Sequence, residues 1–106
     1  MSKHVVATVS EIPPGQRKLV TVRGRSIAVF NLDGEYFGLF NRCPHQGGPI
    51  GEGQIEGATV TCPWHAWTFD LRTGGMALGA DFARLRRFDA RVRDGRIEVA
   101  TEPEEL

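Results

Sequence analysis

Two short stretches, Cys43-Pro44-His45 and Cys62-Pro63-Trp64-His65, hold both cysteines and two of the three histidines of this 106-residue chain. Sixteen residues separate them. Thiolate and imidazole are the ligands of zinc, copper and iron–sulfur centres, so the four side chains form a candidate metal site. Two other readings of the cysteines compete with that one. A disulfide belongs to an oxidising compartment, yet Met1–Ala7 lacks the apolar run of a signal peptide, and cysteines beside histidines in a cytosolic chain are more often metal ligands. A structural zinc site of the Cys2His2 kind usually spaces its first pair of ligands by two to four residues, whereas one residue lies between Cys43 and His45.

The C-x-H and C-x-x-H pair, together with its flanks His45-Gln46-Gly47-Gly48-Pro49 and Cys62 to Gly74, resembles the Rieske family of [2Fe-2S] proteins. The resemblance implies one [2Fe-2S] cluster, with Cys43 and Cys62 on one iron and His45 and His65 on the other. Formal charge explains why such ligands matter. Two ferric ions, two sulfides and two thiolates sum to zero, while four thiolates leave a dianion. An electron is added to a neutral centre at less Coulomb cost, so histidine ligation lifts the potential from about −400 mV into the range of about −150 to +300 mV.

Chain length allows one domain, residues 1–106, with a cluster-binding subdomain at about 41–75. Thirteen basic and thirteen acidic residues cancel, which gives no footing for a nucleic-acid or anionic-membrane partner. No segment approaches the roughly 20 apolar residues of a membrane span. The expected location is the cytoplasm.

Extended structure dominates the remainder. Val5–Val9, Lys18–Val22, Ser26–Asn31 and Tyr36–Phe40 read as strands, broken by Pro13-Pro14-Gly15, Arg23-Gly24-Arg25 and the hairpin signal Asp33-Gly34. As far as Asn41 this predicts a meander of antiparallel strands. Gly47, Gly48, Gly51, Gly53 and Gly57 argue against a helix between the ligand loops and for backbone packed close to its surroundings. Ile55–Val60 reads as two short strands about a turn and Thr68–Leu71 as a third, so the ligand loops should sit at the ends of a small sheet. Later, Phe88, Ala90 and Val92 alternate with Asp89, Arg91 and Arg93, and Asp94-Gly95 turns into Arg96–Val99. The fold expected is all-β: a Rieske-like antiparallel β-sandwich base with a small cluster-binding subdomain.

Respiratory Rieske proteins carry an extra cysteine in each loop and two hydroxyl donors to the cluster; by the resemblance these positions are Gly48, Trp64, Trp67 and Phe69 here. Donors favour the reduced state, so their absence implies a low potential. Ala66 and the proline-free Met76–Phe82 depart from the family pattern. The arginines between Arg84 and Arg93 read first as a solvated strand face and second as a docking patch. A mononuclear iron site needs two further histidines and only His4 is left, so the chain is expected not to be an enzyme. The resemblance implies an electron carrier between a flavin-dependent NAD(P)H reductase and a terminal oxygenase. The alternative is a small Rieske-type subunit attached to the large subunit of a nitrite-reductase-like complex.

Overall fold

A computed structural model describes residues 3–42, 49–63, 68–75 and 85–100. Among these residues are ten strands: β1 Lys3–Thr8, β2 Arg17–Val22, β3 Arg25–Leu32, β4 Glu35–Phe40, β5 Gln54–Glu56, β6 Thr59–Thr61, β7 Thr68–Asp70, β8 Arg87–Phe88, β9 Ala90–Arg93 and β10 Arg96–Ala100. They form three sheets, ordered β1-β10-β9, β2-β3-β4-β8 and β5-β6-β7, and every pairing is antiparallel. The all-β, antiparallel expectation holds. Two single turns of 3-10 helix, Val9–Glu11 and Ile50–Glu52, are the only helical pieces among the described residues.

The β2-β3-β4-β8 sheet is the middle layer. Side chains alternate across a strand, and in this sheet both faces are covered. Val22, Ile27, Val29 and Phe88 pack with Ala7, Ile12, Ile97 and Val99 of the first sheet and its connection. Ala28, Phe30 and Leu39 point the other way, into Ile50, Val60, Cys62, Phe69, Leu71 and Leu85. Residues 27–31 of β3 are consequently all buried, which is why Ile27-Ala28-Val29-Phe30 is a continuous apolar run rather than an alternating one.

The hairpins follow from turn chemistry. Arg23-Gly24, Asp33-Gly34 and Asp94-Gly95 all take positive φ at both residues, the conformation that a two-residue turn needs to match strand twist. Arg25 belongs to β3 and pairs with Val22. The predicted meander is wrong in one respect: β1 pairs with β10, not with β2. After Val9–Glu11, Ile12 and Pro13-Pro14-Gly15 carry the chain into the middle layer. Asn31 secures that crossing. Its side-chain amide donates to the Ile12 carbonyl (2.8 Å) and its carbonyl accepts from Gly34 N–H (2.7 Å), so the one buried polar side chain among the described core residues is satisfied.

At the other end, β8 and β9 turn a corner between sheets. Asp89 lies between them, with its carboxylate held by Lys3 Nζ (3.0 Å) and Arg91 Nε (2.7 Å). Partial burial pushes the carboxyl's pKa up, but the two cationic donors outweigh it and the net shift is downward. Extended structure is present there, but the alternation stops short: Phe88 is buried in β8, which the sequence reading did not separate, Ala90 is half-buried, and Val92 is exposed along with Arg91 and Arg93.

Candidate metal centre

Described residues are tied together at the ends of three stretches of the chain. β4 runs through Phe40 to Asn41, whose backbone N–H donates to Ser26 O (2.9 Å). The Asn41 side chain then accepts from Gly51 N–H (2.6 Å) and donates to Ser26 Oγ (3.2 Å). One amide thus joins the two ends of the stretch that contains Cys43 and His45. β6 and β7 are paired as far as Thr61 and Thr68, whose hydroxyls are hydrogen-bonded at 3.1 Å. Between them run Cys62 to Trp67, the second ligand stretch. Third, Leu85 N–H donates to Gly74 O (2.8 Å), which closes the base of the segment that includes Met76–Phe82.

These three bases stand on one apolar floor. Ile50, Val60, Phe69, Leu71 and Leu85 belong to the same buried group as Leu39 and Phe30 of the middle sheet. Two glycines set how closely the pieces approach. A Cβ on Gly53 would meet the Thr61 carbonyl oxygen at 2.2 Å, and one on Gly51 would meet the Leu19 side chain at 2.1 Å. Arg17 reaches from β2 to donate to Gly53 O, tying the middle sheet to β5. The expected close packing of glycine backbone is therefore present at Gly51 and Gly53, while Gly57 supplies the positive φ of the β5–β6 turn.

Of the four expected ligands, Cys62 lies within the described residues. Its thiol is buried, 1% exposed, in the apolar floor where β6 ends. A thiol at a strand end, buried and not in a disulfide, is a chemically suitable donor to a soft metal centre. Cys43, His45 and His65 lie outside the described residues, as do Gly48, Trp64, Trp67 and the Met76–Phe82 segment. Among the described residues no other group of three histidine, cysteine or acidic side chains could hold a metal ion. Phe69 is fully buried in the floor, so an apolar ring fills the place where the resemblance puts a hydroxyl donor. His4 is exposed on β1, and Pro63 is exposed next to the buried Cys62.

The sequence reading missed the ties. Asn41, Arg17 and Asn31 act at sequence separations of 10, 36 and 19 residues, and no local pattern marks them.

Residues 2–89 match the Rieske [2Fe-2S] domain family, and the chain belongs to that family. Within it the chain is a Rieske-type ferredoxin. It is 38% identical, over 99% of its length and 100% of the relative's, to the 3-phenylpropionate/cinnamic acid dioxygenase ferredoxin subunit of Photorhabdus laumondii. Among solved structures it is similar to the ferredoxin of carbazole 1,9a-dioxygenase from Nocardioides aromaticivorans IC177, with a TM-score of 0.88 at 25% identity, covering 96% of this chain and 100% of that one. A chain in the complex of reduced oxygenase and oxidized ferredoxin in carbazole 1,9a-dioxygenase superposes with a TM-score of 0.91 at 26% identity, covering 98% and 97%. Family membership implies a [2Fe-2S] cluster. No helix of the described residues is long and apolar enough to cross a membrane.

Proposed function

We propose that this chain is a single-domain electron carrier of an oxygenase system, residues 1–106, with its cluster-binding part at about 41–75. It holds one [2Fe-2S] cluster through Cys43 and Cys62 on one iron and His45 and His65 on the other. The cluster supplies reversible one-electron chemistry when bound. The protein's part is to fix the ends of the two ligand stretches on a common apolar floor and to keep Cys62 away from water. It works in the cytoplasm. It takes electrons from a flavin-dependent NAD(P)H reductase and delivers them to a terminal oxygenase, without catalysing substrate chemistry itself.

Cys62 carries this reading: a buried thiol at the base of the second candidate ligand stretch, in a chain whose full-length relatives are ferredoxin components of dioxygenase systems. The lack of a hydroxyl at Phe69 supports a potential toward the bottom of the range of about −150 to +300 mV. Electron paramagnetic resonance of the dithionite-reduced protein, with iron and zinc quantified in the same sample, tests the assignment. The expected result is a rhombic signal with two irons per chain, lost in Cys62→Ser. One zinc, or a signal that survives Cys62→Ser, refutes the ligand set. Purification as a fixed subunit of a large reductase would refute the oxygenase-carrier role in favour of a nitrite-reductase-like assembly.

A further inference from the structure

β2 is an edge strand of the middle sheet, and two of its side chains reach the segment that joins the two ligand stretches. Arg17 is the cross-strand partner of Phe30, and Leu19 that of Ala28. Opposed residues of an antiparallel pair share a face, and Phe30 and Ala28 belong to the apolar floor around Cys62. Arg17 and Leu19 therefore both point toward the small β5-β6-β7 sheet. Leu19 lies over Gly51, where a Cβ would stand 2.1 Å from Leu19 Cδ2, and the Arg17 guanidinium donates to the Gly53 carbonyl.

The Gly53 carbonyl is a place where a donor is needed. Gly53 is buried, its N–H closes the 3-10 turn on Ile50 O (2.9 Å), and β5 begins at the next residue. A buried carbonyl without a donor is costly, and Arg17 supplies one from another sheet, 36 positions away in sequence. The same contact bears on the end of β6. Gly53 packs so closely on Thr61 that a Cβ would stand 2.2 Å from the Thr61 carbonyl oxygen, and the carbon of that carbonyl is bonded to Cys62 N. One backbone contact and one peptide bond connect the Arg17 anchor to the residue that carries the buried thiol.

A second arginine ties the small sheet to the middle one by weaker means. Arg72, in the turn after β7, pairs with Glu35 (3.2 Å) and lies 5.7 Å from the centre of the Phe37 ring. The two charged side chains are 49% and 63% exposed, so solvent screens the pair and it contributes little. It also meets β7 beyond Asp70, at the end away from Thr68 and the second ligand stretch.

We propose that Arg17 is a positioning residue for the metal centre: by holding the Gly53 carbonyl it fixes Thr61, and through Thr61 the Cys62 ligand. The role rests on the electron-carrier reading for the metal, whereas the strand that Arg17 holds can be followed without it.

The test compares Arg17→Met, Arg17→Lys, Arg72→Met and Val99→Ala with the unmodified holoprotein. Val99→Ala removes apolar volume from the opposite core and controls for general loss of stability. The readouts are the shape of the reduced-state electron paramagnetic resonance signal and, well below the melting temperature, amide deuterium exchange over residues 54–61 and 96–100 by mass spectrometry. Arg17→Met should broaden the signal and speed exchange over 54–61 roughly tenfold while sparing 96–100. Arg17→Lys, which keeps a cationic donor, should return both toward the unmodified protein. Arg72→Met and Val99→Ala should leave the signal's shape unchanged, and Val99→Ala should speed exchange over 96–100 at least as much as over 54–61. An unchanged signal in Arg17→Met, equal broadening in Val99→Ala, or an Arg17→Lys protein no better than Arg17→Met would overturn the proposal. If the unmodified protein holds no iron, the carrier reading fails and the exchange data decide alone: selective loosening of 54–61 in Arg17→Met upholds the anchor, and uniform loosening overturns it.

Discussion

Gly53→Ala should damage this protein well beyond what one methyl group ordinarily does, for a reason unrelated to glycine's conformational freedom. Gly53 has φ −74° and ψ 164°, which any residue adopts. Its limit is space: a Cβ would stand 2.2 Å from the Thr61 carbonyl oxygen and 3.0 Å from both Thr61 C and Val60 Cγ2. Carbon–oxygen contacts settle near about 3.3–3.6 Å, so β5 and β6 would have to part by about 1 Å. The obstacle is backbone, which cannot swing aside, and Thr61 is paired with Gln54 in the ladder. Overpacking typically costs about 1–3 kcal/mol and a lost ladder hydrogen bond about 1 kcal/mol. The sum is about 2–4 kcal/mol, and at about 4–8 °C per kcal/mol for a domain of this size the melting temperature should fall by at least about 8 °C. Because Thr61 adjoins Cys62, iron content after purification should fall as well. Gly75→Ala is the control, since among the described residues its Cβ would meet only the Thr73 hydroxyl at 3.4 Å. Circular dichroism melts at one scan rate, with iron assays, give the answer. If Gly53→Ala melts within about 2 °C of Gly75→Ala, the close approach of β5 to β6 does not limit this position and the packing argument is wrong.

Asn31→Ala should lower stability by about 1–3 kcal/mol, because it leaves the Gly34 N–H without its side-chain acceptor and the Ile12 carbonyl with the Tyr36 hydroxyl as its one remaining side-chain donor; urea denaturation would show this as a lower midpoint at unchanged slope. Asn41→Leu removes the tie between the ends of the first ligand stretch and should broaden the reduced-state resonance signal and speed cluster loss, while Asn41→Asp, which keeps the acceptor for Gly51 N–H, should preserve the loop. The Glu11 carboxyl, hydrogen-bonded first by Lys18 and then by Thr8 N–H, is lowered from 4.5 to about 2. A depressed folded-state pKa means that its contribution to stability is complete above 4.5 and is lost as pH falls toward about 2. In Lys18→Met the NMR titration midpoint of Glu11 should move up, and a midpoint that stays put would show that Lys18 is not the cause. Asp89→Asn should likewise flatten the decline of stability with acid, with the contribution of the native carboxylate present above 3.8 and lost below it.

Much of the fold was legible because its signals are local. The Asp33-Gly34 and Asp94-Gly95 pairs carry the positive φ of their turns in their own side chains, or lack of them. Arg23-Gly24 was placed correctly as a turn, although Arg25 proved to be strand. Ile55–Val60 was resolved into two strands because Gly57 interrupts an otherwise extended run. What was not legible depends on contacts between distant segments. Nothing in Lys3–Thr8 says that its partner is Arg96–Ala100 rather than Arg17–Val22. The two residues of β8 are too few to show a period, and their assignment comes from Phe88 and Arg87 meeting Gly38 and Leu39. For the site, the ligand spacing was visible and its support was not. Cys62 announces itself by type, whereas Asn41 is an ordinary polar residue until Gly51 is seen against it. The 3-10 turn at Ile50–Glu52 also escaped, because the glycines around it argue locally against any helix.

The placement of β3 has a consequence for how the protein comes apart. Its backbone is paired with β2 on one side and β4 on the other, and its side chains 27–30 are buried alternately in the two cores. Neither core can open without stripping cover from this strand, so the two halves share one cooperative unit rather than forming separate foldons. The amides of Ala28, Val29 and Phe30 should therefore exchange with deuterium only through global unfolding. Any lesion that melts the sandwich also dismantles the apolar floor that holds Cys62. Loss of bound iron and loss of the base fold would then proceed together, not one after the other.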